Sequence, residues 1–191
     1  MPPEHARPRR TSYAERRARR AEVDDPDKVL EAAARYLEAR PRAVAEVRRR
    51  LTDAGYRAEL IERAVARLTE LGILDDEAFG RAWVESRDRA HPRGEAALRR
   101  ELRRKGLDPA VVDRLLEERR TGDGEEGLAP DADELAAGRL LDRHRRALDR
   151  VEDPRARRQR AYALLARHGF DPATASDAAR RFLADTDPAD D

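Results

Sequence analysis

The chain has no cysteine among its 191 residues, which excludes disulfides, thiolate metal ligands and cysteine nucleophiles. Aromatic residues make up only 4%, with a single Trp, against 42% charged residues; that apolar supply suits several small cores rather than one large one. Lysine is nearly missing too: Lys28 and Lys105 are the two, and Arg supplies the rest of the 41 cations. No stretch approaches the roughly 18 apolar residues that a spanning helix needs, and the first residues lack the apolar segment of a signal peptide. The expectation is a soluble, cytoplasmic chain with no membrane partner. With 40 acids against 41 cations the formal net charge is +1, so only the distribution of charge can point to a polyanion.

Ala, Glu, Leu and Arg are abundant, and they lose little side-chain freedom in helices. Asp25-Pro26 reads as an N-cap followed by proline in the first helical position. Val29, Leu30, Ala33, Ala34 and Leu37 follow at helical spacing until Pro41. A second helix carries Val44, Val47, Leu51 and Ala54 to Gly55, and a third places Leu60, Ile61, Ala64, Val65 and Leu68 inward. The plan recurs 51 residues later, from Gly55 to Gly106. Pro92 matches Pro41, Leu98 and Leu102 match Val47 and Leu51, and Val111, Val112, Leu115 and Leu116 match Leu60, Ile61, Ala64 and Val65. In this second copy Asp75 caps, Leu74 and Phe79 form a hydrophobic staple, and Phe79 stacks one turn from Trp83. A third copy begins with an Asp131/Glu134 capping box and puts Ala137, Leu140, Leu141 and His144 on one face. Its turn His168-Gly169-Phe170-Asp171-Pro172 repeats Lys105-Gly106-Leu107-Asp108-Pro109. An internal repeat of this size indicates an all-α helical array.

The organisation expected is a disordered basic arm over 1–24, three-helix repeats over 25–72, 73–119 and 132–185, an acidic Gly-rich linker over 120–131 and an acidic tail over 186–191. The arm rests on seven arginines against three glutamates before residue 23, prolines at 2, 3 and 8, and almost no large apolar side chain. A solvated tail and a tail that strengthens binding to a polyanion are both open readings of it. The linker has three glycines among acids but no Gly-Lys-Ser/Thr, so it reads as a hinge rather than a phosphate loop.

No catalytic, metal or cofactor site is expected. His5, His91, His144 and His168 share no ligand spacing. His91 precedes a helix-opening proline, His144 lies on a core stripe, and His168 stands at a helix C-terminus, where the dipole favours a cation. On a wheel of 100° per residue with Leu98 at zero, Arg93, Arg99, Arg100, Arg103 and Arg104 fall within about 100° to 240° with no acid among them. The first copy has a weaker set in Arg42, Arg48 and Arg49, with Asp53 in place of Arg104. The third has Tyr162, Ala163, Ala166 and Arg167 there, so the stripe fades outward. These eight arginines are the candidate binding residues. A helix-turn-helix mode is disfavoured, because the helix that would enter the groove begins Asp108-Pro109-Ala110 and carries Asp113, Glu117 and Glu118. Backbone contact through the Arg-rich helix is the nucleic-acid mode left.

The segments ARYLEARPRAVAEVRRRLTDAGY, LGILDDEAFGRAWVESRDR, RGEAALRRELRRKGLDPAVV and RRQRAYALLARHGFDPATA resemble the RecX regulators of bacterial recombination, over roughly residues 28–184. The resemblance implies an elongated, curved array of three tandem three-helix repeats that binds the RecA nucleoprotein filament in its groove. There it would restrain ATP hydrolysis, strand exchange and coprotease activity, with no cofactor and no catalytic residue. The expected partners are the RecA filament and single-stranded DNA through its phosphates, met by a monomer. The alternative is a nonspecific module that grips the DNA backbone. The arm and the linker stand outside the family pattern.

Overall fold

Caps and glycine stops divide the chain into ten helices, with no strand among the described residues, 12–121 and 131–184 of the computed structural model. They are α1 (Tyr13–Ala21), α2 (Pro26–Leu37), α3 (Val44–Ala54), α4 (Ala58–Glu70), α5 (Asp76–Ala90), α6 (Glu95–Lys105), α7 (Pro109–Thr121), α8 (Ala132–Leu148), α9 (Pro154–Arg167) and α10 (Pro172–Ala184). They form two compact units, meeting in sequence at Asp75/Asp76.

In the first unit, α2, α3 and α4 enclose Val29, Ala33, Val47, Leu51, Ile61 and Leu68, each no more than 3% exposed. Leu74 belongs to this core as well. The α3 helix stops at Gly55, whose φ of 101° is left-handed, and the amides of Gly55 and Tyr56 return to the carbonyl of Leu51. In the second unit the same stop occurs at Gly106 (φ 90°) and Gly169 (φ 85°), with Leu107 and Phe170 buried immediately after. Leu98, Leu102 and Val112 are fully buried in one three-helix group; Ala137, Leu141, Ala161, Leu165, Ala175 and Ala179 fill the other. Gly80, inside α5, has a packing reason: a Cβ there would come within 2.4 Å of Leu115 and 2.9 Å of Leu107.

Three local expectations need correction. Residues 13–21 form α1 rather than a disordered arm. Ser12 and Glu15 make a reciprocal capping box, and the Tyr13 hydroxyl donates to the Asp53 carbonyl at 2.7 Å. Arg17 lies so close to Gly55 that a Cβ on that glycine would meet it at 2.5 Å. No residue of α1 is buried; capping and docking on the end of α3 hold it, neither of which depends on large apolar side chains. The expected arm's residues 1–11 lie outside the described residues, as do most of the expected linker (122–130) and the tail. Arg120 and Thr121, assigned to the linker, continue α7. Asp131 does cap α8, accepting from the Asp133 amide, but Glu134 reaches Arg181 at 3.2 Å.

Within the second unit the two three-helix groups are joined by named contacts. The Gly94 amide donates to the His168 carbonyl at 3.1 Å, and a Cβ on either Gly94 or Gly169 would strike the facing backbone at 2.3 to 2.6 Å. From α8, Arg139 and Arg143 donate to the carbonyls of Asp88, Arg89 and Ala90, the unsatisfied acceptors at the end of α5. Arg119, its side chain 8% exposed, forks onto Asp88 with two bonds of 2.9 Å and reaches Asp133 at 2.5 Å. Asp133 in turn accepts from the Glu95 amide at 3.0 Å and so caps α6.

Candidate polyanion-binding surface

Helix α6 carries the cationic run because its apolar residues, Leu98 and Leu102, stand one turn apart and turn inwards, leaving Arg100, Arg103 and Arg104 on the outside. These three are exposed, and none forms an ion pair with a described residue. The other two members of the expected stripe are engaged. Arg99 donates to Glu95 at 2.8 Å and also to Asp113 on α7; these hydrogen bonds, to Glu95 first and then Asp113, hold its pKa above the usual guanidinium value despite partial burial. Arg93 points its Nε to Glu101 at 3.7 Å. The stripe thus reduces to three guanidiniums without an ion-pair partner among the described residues, because Glu95 and Glu101 of α6 and Asp113 of α7 reach the other two.

The weaker set in the first unit thins in the same way. Arg48 forks onto Glu62 with contacts of 2.8 to 3.1 Å, and the Arg42 guanidinium stacks 4.4 Å from the Tyr36 ring centre, with its Nε buried. Arg49 alone of the three is exposed without an ion pair to a described residue.

Beside α6 stands a cluster that the wheel did not reveal. Phe79 and Trp83 stack as expected, with ring centres 6.1 Å apart. The Trp83 ring also meets Arg87, 4.5 Å from its centre, and Lys105, at 4.7 Å. Glu101 accepts from Trp83 Nε1 at 2.9 Å and from Arg87 at 2.6 Å. Two cations near the stripe are therefore committed to holding an indole. The i, i+4 spacing of Trp83 and Arg87 was the readable signal; the closure by Glu101 and Lys105, on another helix, was not.

The Arg119 triad was missed as well. Burial works against its charge, but its hydrogen bonds to Asp88 and Asp133 outweigh that and hold its pKa above the ordinary value. Burial also pushes the Asp133 carboxyl upward, against the bonds from Arg119 and the Glu95 amide. One sequence clue existed: Asp133 precedes Ala137 by four residues, an acid on a core-facing stripe. His144 and His168 differ from expectation too. His144 is exposed rather than in the core, its ring edge-on to His168 with centres 6.5 Å apart. Burial, reinforced by Arg93, His144 and Arg167, lowers the His168 pKa despite a bond to the Leu164 carbonyl, the opposite of the direction expected from the helix end.

Family models match this chain over two of its repeats: the first three-helix domain of RecX over residues 30–68 and the second over residues 75–116. A regulatory protein RecX from Streptomyces lividans is 38% identical over 173 residues, covering 86% of this chain and 85% of its own. One from Mycobacterium sp. (strain JLS) is 36% identical over 143 residues, 75% of each chain. Among solved structures, RecX from Lactobacillus salivarius superposes with a TM-score of 0.66 at 19% identity, over 84% of this chain and 97% of that one. A second RecX crystal structure gives a TM-score of 0.68 at 21% identity, over 86% and 75%. At that identity the structures establish a common helical fold, and the closer sequence relatives establish more: the chain belongs to the RecX family of regulatory proteins.

Proposed function

We propose that the chain binds the RecA nucleoprotein filament and restrains its ATP hydrolysis, strand exchange and coprotease activity, meeting the filament as a monomer. The observation that carries the reading is the pairing of RecX membership with three exposed guanidiniums on α6, Arg100, Arg103 and Arg104, that form no ion pair with a described residue. The binding residues are these three and Arg49; Arg42, Arg48, Arg93 and Arg99 support them by fixing neighbouring side chains. Occupancy is the mechanism. Each site is weak, and several on one chain bind as a linked set, so the cost of association is met once.

Substoichiometric protein should inhibit RecA ATPase on single-stranded DNA, and no inhibition at saturation would sink this reading. If α6 meets phosphates, replacing Arg100, Arg103 and Arg104 by Ala should make the log–log salt slope of single-strand binding shallower by about 2, at roughly 0.7 per phosphate. An unchanged slope with lost ATPase inhibition would move the contact from DNA to an acidic protein surface. The alternative, a nonspecific grip on the DNA backbone, predicts equal affinity for naked strand and filament.

A further inference from the structure

The stripe expected to fade in the third repeat gives way there to a different arrangement. Helix α9 contains no Asp or Glu between Pro154 and Arg167. Arg155, Arg158, Gln159 and Tyr162 follow at i, i+3, i+4 and i+7 and so share a face, while Arg157, Ala161, Leu164 and Leu165 turn inwards. Across from them α10 offers Ser176, and together these residues line an open cleft of about 400 Å³. No carboxylate of a described residue lines it. The side chains of Arg155, Arg158, Gln159, Tyr162 and Ser176 make no hydrogen bond or ion pair with another described residue. Tyr162 is 37% exposed, one of the few large apolar side chains left open to solvent. The cleft beside α6 is unlike it: Glu95, Asp131, Asp133 and Asp171 line it together with Arg99, Arg119 and Arg120, each of which is paired with an acid.

We infer that the α9/α10 cleft binds a nucleotide of a single-stranded nucleic acid. A base stacks on the face of Tyr162, and the flanking phosphates lie between Arg155 and Arg158. The Gln159 amide and the Ser176 hydroxyl serve the sugar or the base edge. An exposed aromatic flanked by guanidiniums that no described acid engages is what sequence-tolerant strand binding requires, because every base has a π-face and every phosphate a charge. A free mononucleotide presents the same chemistry. This site requires only naked strand, so it is independent of the filament reading.

The test is fluorescence anisotropy of a labelled oligothymidylate against an abasic strand of equal length, with no RecA present. The natural chain should favour the base-bearing strand. Tyr162→Ala should weaken that strand by about tenfold and erase the preference, while Tyr162→Phe keeps it. Arg155→Ala with Arg158→Ala should weaken both strands alike and make the salt slope shallower by about 1.4. Competition by thymidine monophosphate assigns the cleft to nucleotides in general, and its failure assigns it to strands. If Tyr162→Ala, with its helical circular dichroism intact, binds both strands as the natural chain does, the cleft is not a nucleotide site. RecA inhibition is read in a different assay, so either idea can fail alone.

Discussion

Arg104 and Arg119 each sit in the last turn of a helix, yet their surroundings give them opposite duties. Arg104 has solvent around it and no described partner, so its charge is available to a ligand. Arg119 is enclosed, and its charge is spent on Asp88 and Asp133. The hydrophobic pattern could rank neither, since it records which residues are apolar and not which acid a guanidinium can reach. His168 shows the same limit with a measurable consequence. Its pKa is lowered in the folded chain chiefly by burial, so on acidification the unfolded chain takes up the proton first. The unfolded form then binds more protons, and stability falls with pH. The His168 contribution is therefore complete above the ordinary histidine value of about 6.5 and is lost as pH drops through the lower folded value. Urea midpoints measured at several pH values should decline across this window, and His168→Gln should flatten that part of the decline. An equal decline in the variant would place its origin elsewhere.

At the scale of elements, the turn that closes the middle helix of each repeat was legible because it is chemical as well as statistical. Gly55, Gly106 and Gly169 all hold φ between 85° and 101°, where an L side chain is strained. What the sequence could not separate is a glycine needed for conformation from one needed also for space. Gly72 has a φ of 67° and nothing within 4 Å of an added Cβ, whereas a Cβ on Gly169 would meet the backbone nitrogen of Ala97 at 2.6 Å. Gly72→Ala should then cost only about 1–2 kcal/mol, the left-handed penalty. Gly169→Ala should cost clearly more, because the approach between α6 and the turn must also open. Thermal unfolding of the two variants checks the order, and equal losses would contradict the close approach. Helix α1 was misread for a related reason: low apolar content argues against burial, but a capped helix resting on a glycine turn needs little of it.

On the scale of the molecule, periodicity revealed three copies of one plan but not how the copies are grouped. The first copy, with α1, forms one compact unit, and the second and third form another. The joint depends on contacts that no repeat period encodes: Gly94 against Gly169, Arg139 and Arg143 on the end of α5, and Arg119 between Asp88 and Asp133. Gly169 matches Gly55 and Gly106 in its turn, but nothing in that match signals its contact across the join. Trp83, the single indole, lies in the second copy and makes the joint testable. Leu165, fully buried in the third copy, should cost about 2–5 kcal/mol when cut to Ala. If the two copies unfold together, Leu165→Ala lowers the urea midpoint reported by Trp83 fluorescence although it touches nothing near the indole. Arg119→Ala leaves two carboxylates without their cation, a loss of about 3 kcal/mol or more for a buried pair, and should loosen the coupling. In that background Leu165→Ala should move the Trp83 midpoint less. A Trp83 midpoint indifferent to Leu165→Ala in the natural chain would mean that the second and third repeats unfold separately, with the Arg119 triad joining them in structure but not in energy.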